Sequence, residues 1–546
     1  MKLRILFFAL FLTSASFAQE RGNHTFAPFQ REAVRSEMNL LAETEGRSML
    51  GKVRYDAFDF FEEAKLEDGQ WLLTCLAEGA DELAIYFNDF HIPVGGKLLL
   101  HNSSGQEVGV YRTEENNAHA QFMTDLIEGD ALTLIYEQGS ETQGVPHIGI
   151  MGCGYVVHQG GGSDPCQVDV NCPEGEDWQC QRDAVVHLII TAEGNMYNCS
   201  GSLVNTTAFD CRQYLLTALH CAWNVQDDEW AFLQVRFNYE VPFLDENNDG
   251  IPEWSSCGSG TPVETHNRVG VVKLADSDDY IQGQGTQGSD FLLLEVEDAI
   301  PDEWDPYFAG WDASGWGSST GVSIHHPSGD AKKISTYGTA LQSIWIGYPN
   351  SHWEVTWQET SNGYGVTEPG SSGSPIFNFE HRIIGTLTGG TSACEVGGAG
   401  AGTGPNEPDW YGKMNQHWTN NDNTPEQKLK AWLDPLNTGQ QTTYGAYRPC
   451  DEGASCEIVG VGENQSLSFN LFPNPSEGNV TIEADQLRGV LDIQVIDPLG
   501  KVVYTADLNN QGTQFVDLSA LPQGVYHVVI LDQGVALANE KLVLVR

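Results

Sequence analysis

Short apolar runs that alternate with polar residues dominate the first part of the chain. Residues 82–87 and 132–136 are typical of these runs, and turn clusters such as residues 93–96 separate them. Alternation with a period of two, bounded by glycine, proline and asparagine, is typical of half-buried β-strands. The pattern predicts a small β-sandwich or barrel over residues 19–162, which ends at the glycine run 160–162.

Residues 163–447 keep the β pattern and end in a helical signal. Thr424 is a favourable N-cap, Pro425 suits the first helical position, and Asp434-Pro435 stops the helix. The apolar runs that predict strands are 185–190, 215–217, 235–239, 269–274, 291–296, 355–357 and 383–387. We therefore expect a mostly antiparallel barrel domain that is closed by a C-terminal helix.

A third β-rich region follows a linker. Residues 448–466 have a linker composition, with Cys450 and Cys456 placed to close a short loop within it. Residues 467–546 return to short apolar runs, which lie near 490–496, 502–505, 514–517, 525–531 and 541–545. These runs predict a C-terminal β-sandwich.

The N-terminus has the pattern of a secretory signal peptide. Lys2 and Arg4 precede the apolar run 5–12, and Ser16-Phe17-Ala18 forms a small-x-small cleavage site, so residues 1–18 are the predicted signal. No later stretch reaches the roughly 18 apolar residues that a membrane helix needs. We expect an exported protein without stable membrane insertion.

Charge and cysteine usage narrow the function classes. The 546 residues include 75 acidic and 27 basic side chains, a formal net charge of −48, which disfavours nucleic acid as a partner. The 12 cysteines form no CxxC pair and so favour disulfides over zinc. No HExxH or GK[ST] motif is present, and we expect no cofactor. Asp245–Gly250 resembles a calcium loop, but Ser256 stands where its last ligand, a glutamate, is required, which leaves calcium binding open.

Three short segments carry candidate chemistry. His220 ends an apolar run in Thr-Ala-Leu-His-Cys, Asp290 opens another in Gly-Ser-Asp-Phe, and Ser372 lies in the turn Gly-Ser-Ser-Gly-Ser-Pro. A serine hydroxyl becomes a nucleophile when an imidazole takes its proton and a buried carboxylate orients that imidazole. Glycines beside the serine free backbone amides for the developing oxyanion, and the candidate donors are Gly370 and Ser372.

These segments resemble those of trypsin-like serine proteases and, more closely, of the bacterial lysyl endopeptidases. The motifs that carry the resemblance are CQVDVNCPEG from Cys166, GSLVN from Gly201, TALHC ending at Cys221, SDFLLLE from Ser289, AGWD from Ala309, IHHP from Ile324, VTEPGSSGSPI from Val366 and WLDP from Trp432. The resemblance implies a double β-barrel catalytic domain over residues 163–447. It implies His220 as general base, Asp290 as its orienting partner and Ser372 as nucleophile.

The same resemblance implies a disulfide framework. Its members are Cys166–Cys394, Cys172–Cys257 and Cys199–Cys221. For part of the remainder we predict Cys180–Cys211 and Cys75–Cys153.

Ser371 is the first departure from ordinary trypsins. It stands where trypsins place the aspartate that captures the new N-terminus on activation. Activation through that ion pair is therefore unavailable, and we expect residues 19–162 to be a pro-segment that blocks or chaperones the site.

The specificity pocket is the second departure. Val366 replaces the pocket-floor aspartate of trypsins, whereas Asp409 matches the aspartate that lysyl endopeptidases place on a later strand. Trp345 matches the aromatic pocket wall of that family. Thr388 stands where the family has a histidine that stacks on this tryptophan, so the sequence leaves the choice between Lys and Arg open.

The C-terminal region resembles the sorting domain of type IX secretion substrates. The motifs are Phe-Pro-Asn-Pro from Phe472, Asp-Pro-Leu-Gly-Lys from Asp497 and Gly-Val-Tyr from Gly524. The resemblance implies passage across the outer membrane, with the secretion machinery as a partner and an extracellular or cell-surface location.

The sequence as a whole predicts a secreted serine endopeptidase that cleaves proteins or peptides after basic residues through an acyl-enzyme. An alternative is a catalytically silent protease homologue that serves as a surface-binding protein. An esterase or a glutamate-specific protease of the same fold is a third possibility.

Overall fold

A computed structural model describes residues 21–140, 143–158, 162–242, 257, 262, 266–281, 285–397, 403–420, 423–448, 469–484, 491–497, 501–508, 513–532 and 535–545. The predicted signal peptide, the calcium-like loop around Asp245 and the Cys450–Cys456 loop lie outside these residues. The chain divides into two compact units, one of residues 1–28 and 54–155 and the other of residues 29–53 and 156–546.

Strands dominate both units. The α-helices are α1 (Arg31–Glu45), α2 (Phe60–Glu63), α3 (Gln179–Ala184) and α4 (Leu429–Leu433). The strands are β1 (Asn23–Thr25), β2 (Ser48–Asp59), β3 (Lys65–Glu67), β4 (Gln70–Leu76), β5 (Glu82–His91), β6 (Lys97–Asn102), β7 (Glu107–Tyr111), β8 (Phe122–Met123), β9 (Ile127–Glu128), β10 (Ala131–Glu137), β11 (His147–Val156), β12 (Val168–Asp169), β13 (Val185–Ala192), β14 (Asn195–Val204), β15 (Tyr214–Thr217), β16 (Gln234–Phe237), β17 (His266–Val269), β18 (Val271–Asp276), β19 (Tyr280–Ile281), β20 (Gly285–Thr286), β21 (Leu292–Val296), β22 (Trp311–Asp312), β23 (Gly321–His325), β24 (Lys333–Tyr337), β25 (Gln342–Ile346), β26 (Tyr348–Val355), β27 (Pro375–Asn378), β28 (Ile383–Gly390), β29 (Asp409–Lys413), β30 (Thr442–Thr443), β31 (Phe469–Phe472), β32 (Asn479–Ala484), β33 (Leu491–Ile496), β34 (Val502–Leu508), β35 (Thr513–Asp517), β36 (Gly524–Asp532) and β37 (Val535–Leu544).

The first unit is β-rich, as the alternation predicts. One sheet has the order β1-β4-β10-β6-β7, with β3 beside β4, and a second group is built on β5, which pairs with β8, β9 and β11. On β4, Leu73 and Cys75 are fully buried and alternate with the half-buried Leu72, Thr74 and Leu76. Period-two burial of this kind is the signature of a sheet with one face in a core.

The predicted disulfide between Cys75 and Cys153 is wrong. Both residues are buried free cysteines of the first unit. Burial raises the pKa of Cys75, and it raises the pKa of Cys153 to about 12, so both stay protonated. Each thiol fills an apolar core position of its own strand, which is a common role of free cysteine. An even cysteine count does not reveal which Cβ atoms face each other within bonding distance.

The catalytic region of the second unit consists of two antiparallel β systems, which confirms the predicted double-barrel architecture. The first has the order β17-β16-β13-β14-β15-β21-β18 and encloses Val186, Leu188 and Leu294. The second has the order β12-β24-β23-β27-β28-β29-β26-β25. Trp353 and Tyr411 belong to the cluster of buried apolar residues in this second system.

The C-terminal helical signal of the catalytic region folds in two short pieces rather than one helix. A 3₁₀ turn, Pro425–Gln427, follows Thr424, and α4 starts after Lys428, whose backbone is extended (φ −108°, ψ 139°). Gln427, which would close a capping box with Thr424, instead accepts a hydrogen bond at Oε1 from the backbone amide of Asp276 at 3.0 Å. This tertiary contact outweighs the local cap.

Three of the predicted disulfides are confirmed, and the pairing of Cys180 with Cys211 stays a prediction. Cys166–Cys394, Cys172–Cys257 and Cys199–Cys221 are bonded, and Cys180 and Cys211 are each disulfide-bonded as well.

The C-terminal region forms two antiparallel sheets, β31-β32-β35 and β34-β33-β36-β37, over the shared core of Val495, Val516 and Val528. Among the helices that the structure describes, none is both long enough and apolar enough to cross a membrane.

Candidate active site

Strand pairing brings His220 and Asp290 together. His220 lies in a 3₁₀ turn that directly follows β15, and Asp290 lies two residues before β21. Because β15 and β21 are antiparallel partners with Thr217 opposite Leu292, the end of one strand lies beside the start of the other. Residues 70 positions apart thus meet at one edge of the first barrel.

Asp290 holds His220 through two hydrogen bonds. Its Oδ2 lies 2.7 Å from His220 Nδ1, and its Oδ1 accepts from the His220 backbone amide at 2.9 Å. Asp290 is fully buried, and its backbone takes the left-handed conformation with φ of 59°. Strain of this kind in a non-glycine residue is concentrated at functional sites. The contacts fix both the position and the orientation of the imidazole ring.

The pKa of Asp290 lies below its ordinary value despite full burial. Burial by itself raises this pKa, but the neighbouring His220 and hydrogen bonds from His220 and Thr388 to the carboxylate outweigh it. Asp290 is therefore an ionised acceptor across the neutral pH range. An ionised carboxylate at Nδ1 keeps the proton there and leaves Nε2 free to accept a proton.

Asp279 is a second acid behind the pair that the sequence analysis did not single out. Its Oδ2 accepts hydrogen bonds from the amides of Ser289 and Asp290, at 2.6 and 3.2 Å. Burial and the charge of Asp290 raise the pKa of Asp279 to about 6. Asp279 thus fixes the backbone that presents Asp290. Nothing in the sequence distinguishes it from the many other acidic loop residues.

Ser372 is supplied by the second barrel, in the turn before β27. Its carbonyl accepts a hydrogen bond from the amide of Ser200 on β14 at 2.8 Å, which ties the turn to the first barrel. Ser372, Gly370 and His220 line the same small cavity. The structure therefore brings the predicted hydroxyl, imidazole and carboxylate into one neighbourhood.

The turn also leaves two amides free. Gly370 has a φ of 102°, a conformation that favours glycine. A side chain there would press against the backbone of His326 and Gly329 at 3.0 Å. Among the described residues, the backbone amides of Gly370 and Ser372 donate to no acceptor. Two such amides beside a serine hydroxyl suit an oxyanion.

Ser371 is held by a neutral network instead of an ion pair. Its hydroxyl lies 2.7 Å from His325 Nδ1 and accepts a hydrogen bond from the Glu368 amide at 3.2 Å. Burial, and secondarily the charge of Lys333, lower the pKa of His325 to about 3, so the ring is uncharged. The loop that carries Gly370 and Ser372 is thus held in place although Ser371 has no charged partner.

Asp409 is a buried carboxylate that pairs with no basic side chain among the described residues. Its Oδ2 accepts from Trp357 Nε1 at 2.6 Å, Thr367 Oγ1 at 2.7 Å and Ser392 Oγ at 2.6 Å. Burial raises its pKa. Gly390 covers Oδ1 so closely that a side chain there would lie 1.7 Å from this oxygen. Val366, at the trypsin pocket-floor position, is a buried core residue.

Trp345 and Thr388 line a cavity of about 550 Å³, while Asp409 does not. Trp345 is 69% exposed at its wall. Thr388 Oγ1 lies 3.0 Å from Nε2 of His352, and Thr388 also donates to the Asp290 carboxylate. Burial lowers the pKa of His352 to about 4, so this imidazole is neutral. A histidine from β26 thus stands beside the position where the family has its own histidine, a contact that only the strand order reveals.

The comparisons with known proteins agree with this geometry. Residues 160–412 match the family described as lysyl endopeptidase, C-terminal domain, and residues 470–545 match the secretion system C-terminal sorting domain. A curated relative, the lysyl endopeptidase of Pseudomonas aeruginosa, is 26% identical over 322 residues, or 54% of this chain. The matched part spans 63% of that relative's length.

Solved structures of serine proteases are also similar. The thermostable serine protease AL20 from an extremophilic microorganism is 10% identical with a TM-score of 0.27, over 43% of this chain and 92% of that chain. A Glu endopeptidase is 14% identical with a TM-score of 0.25, over 47% of this chain and 93% of that chain. TM-scores this low add nothing to the fold that the strand pairings establish.

The sorting domain and the endopeptidase match indicate a secreted or cell-surface protein. The resemblance drawn from the sequence motifs is confirmed over residues 160–412 and 470–545. The chain thus carries a domain similar to the C-terminal domain of lysyl endopeptidase, followed by a domain similar to the secretion system C-terminal sorting domain.

Proposed function

We propose that this protein is a secreted serine endopeptidase that hydrolyses peptide bonds after basic residues, with Lys favoured and Arg accepted. Ser372 attacks the carbonyl carbon and His220 takes its proton, while Asp290 holds the ring and stabilises its cation. The amides of Gly370 and Ser372 bind the oxyanion. His220 then protonates the leaving amine, and water hydrolyses the acyl-enzyme by the same route.

One observation carries this proposal. A buried, ionised Asp290 lies 2.7 Å from His220 Nδ1, and His220 lines a common cavity with Ser372 and Gly370. A surface-binding protein has no use for an oriented imidazole beside a hydroxyl and two free amides. The arrangement therefore favours an enzyme over a silent homologue.

The preference for a basic residue rests on Asp409. Its carboxylate is fully buried, and no cation of the described residues compensates its charge. Burying an unpaired carboxylate is unfavourable, and an incoming ammonium group would relieve the cost. Ionisation of Asp409 in the absence of substrate is opposed by burial, which is why its pKa is raised.

We expect the Asp409→Asn variant to lose most of its activity toward Lys peptides. Removing one partner of a desolvated charge pair costs about 2–5 kcal/mol, so kcat/KM for a Lys peptide should fall roughly 30- to 4,000-fold. The matched Leu peptide should change little. Steady-state kinetics on Lys, Arg and Leu peptides measure the effect.

Glu354 provides the matched control. It lines the cavity with Trp345 and is the alternative carboxylate for a substrate cation. Glu354→Gln should keep the preference for Lys over Leu. If Glu354→Gln abolishes this preference while Asp409→Asn preserves it, the pocket has been assigned to the wrong acid.

The preference for Lys over Leu should decline on acidification. The pKa of Asp409 lies above its ordinary value of 3.8, and the neutral acid that forms below this pKa no longer attracts ammonium. Effects of pH on the shared catalytic steps act on both substrates alike, so the ratio of their kcat/KM values isolates the pocket. We expect this ratio to fall as pH drops from about 7 to about 4. A constant ratio over this interval would contradict the assignment.

The proposed function is tested most directly with a serine-directed fluorophosphonate and a peptide library. We expect stoichiometric labelling at Ser372 and cleavage after Lys and Arg. An unlabelled, folded protein would favour the surface-binding alternative, and cleavage after Glu would favour the other protease specificity.

For the C-terminal region, we propose recognition by the type IX secretion machinery.

A further inference from the structure

Residues 46–52 belong to the same compact unit as the catalytic residues and lie along β14. Helix α1 ends at Glu45, the following Gly46 turns the chain with a φ of 65°, and β2 starts at Ser48. The first residues of β2 pair antiparallel with β14, with Ser48 opposite Asn198 and Lys52 opposite Asn195. The later part of β14, from Ser202, pairs with β15 instead. The segment thus extends the first barrel by a strand at its free edge.

This segment reaches the catalytic residues. Gly46, Arg47 and Ser48 line the cavity that also holds His220, Gly370 and Ser372. The remaining cavity volume is about 10 Å³. Such a volume is roughly that of one water molecule, so no peptide fits between the segment and the serine.

Arg47 is the best-anchored residue of the segment. Its guanidinium carbon lies 3.6 Å from the centre of the Tyr197 ring, and its Nη2 donates to Asn224 Oδ1 at 3.3 Å. Asn224 is oriented in turn by Glu193, whose Oε2 accepts from Asn224 Nδ2 at 3.2 Å. Arg47 is only 8% exposed, and among the described residues it forms no ion pair. The ring of Tyr197 and the side-chain oxygen of Asn224 therefore stabilise the positive charge of Arg47.

Tyr197 and Asn224 both contact Arg47 in the first barrel, whereas Asp409 lies on β29 of the second barrel. The cavity beside Gly46 is lined by Cys199 and Cys221 of the first barrel and by none of Asp409, Trp345 or Thr388. If the basic residue of a substrate enters the second barrel toward Asp409, the residues after the cleaved bond are the ones left to pair with β14 in place of β2. Strand addition at a free edge binds any backbone, and side-chain pockets supply selectivity.

We propose that Tyr197 and Asn224 form a subsite for a basic side chain on the leaving-group side of the substrate, which Arg47 fills until residues 46–52 are removed. This inference rests on the proposed function and adds a second point of cation recognition to it. Tyr197 supplies the π face and Asn224 the hydrogen-bond acceptor. The cleaved bond is then preferred where basic residues lie on both of its sides.

The test uses the enzyme as secreted and blocked peptides with a single Lys before the cleaved bond. Arg, Met or Glu is placed at the first, second or third residue after this bond, and mass spectrometry counts cleavage at Lys alone. A cation on an aromatic face contributes about 0.5–2 kcal/mol, so Arg should raise kcat/KM roughly tenfold over Met at one position. Glu should be the poorest residue at that position.

Three variants assign the preference to the subsite. Tyr197→Phe keeps the aromatic face and should keep the preference for Arg, whereas Tyr197→Leu should reduce it to about twofold or less. Asn224→Asp adds a charge at the acceptor and should increase the preference. The ratio of Arg to Met peptides is the readout, so a general loss of activity in a variant does not imitate the result.

A lysyl p-nitroanilide separates this inference from the proposed function, because it carries no residue on the leaving-group side. If wild-type enzyme hydrolyses the anilide but cleaves the Arg and Met peptides equally at all three positions, the subsite is refuted and the proposed function stands. A preference for Arg that Tyr197→Leu and Asn224→Asp both leave unchanged also refutes it. Failure to hydrolyse the anilide, with no labelling of Ser372, overturns both proposals.

Discussion

Replacing Ser372 with alanine should reduce kcat for a Lys peptide by about 10⁶-fold, since losing the nucleophile costs nearly as much as losing the whole triad. Ser372 is the hydroxyl that shares a cavity with His220 and the free amides. The variant removes one oxygen and leaves the Ser372 carbonyl bonded to the Ser200 amide, so the two barrels stay joined. Peptide hydrolysis and fluorophosphonate labelling should both disappear.

Ser371→Ala is the matched control for this loss. Ser371 is adjacent and buried, but its hydroxyl contacts His325 and the Glu368 amide rather than the catalytic cavity. It should lose loop stability, because a buried imidazole loses a partner at a cost of about 1–3 kcal/mol, and it should keep labelling at Ser372. Thermal unfolding and labelling stoichiometry separate the two effects. Full hydrolysis by Ser372→Ala would exclude Ser372 as the nucleophile.

The sequence predicts the meeting of His220 and Asp290 because each of them lies in a short local motif. His220 and Asp290 stand beside apolar runs that become paired strands, so their meeting follows from the antiparallel order of β15 and β21. The disulfides implied by the family resemblance are present, whereas Cys75 and Cys153 remain buried thiols. Disulfide pairings in a domain that shares its motifs with a known family can be predicted from that family. A count of the remaining cysteines does not show which of them lie close enough to bond.

Contacts between distant segments were not predictable in the same way. Asp279 bonds to the backbone around Asp290, and His352 bonds to Thr388 across 36 residues. Neither residue differs in its local pattern from ordinary loop or strand positions. The contact between Arg47 and Tyr197 depends on the pairing of β2 with β14, although the two residues are 150 positions apart in the sequence. Alternation of polar and apolar residues does not specify which strands pair. The sequence suggested a blocking segment, and only the register of β2 on β14 points to residues 46–52 for this proposed role.

Replacing Asp290 with asparagine should reduce kcat by about 10⁴-fold while preserving the fold. The carboxylate now accepts from the ring at Nδ1 and from the backbone amide of His220, at 2.7 and 2.9 Å. The asparagine oxygen can keep one of these bonds, but its NH₂ donates. When this NH₂ faces Nδ1, the ring proton moves to Nε2, and His220 no longer accepts the proton of Ser372.

Asp279→Asn is the matched control, because Asp279 bonds to the amide of Asp290 but not to the ring of His220. Its pKa of about 6 reflects burial and the repulsion of Asp290, which the neutral amide relieves. An asparagine oxygen still accepts from both backbone amides, so activity should change only a few-fold. Kinetics on one Lys peptide for both variants, with unfolding curves, test the contrast. If Asp279→Asn lowers kcat as severely as Asp290→Asn, the two acids do not differ in the way proposed here, and orienting the imidazole is not a role of Asp290 alone.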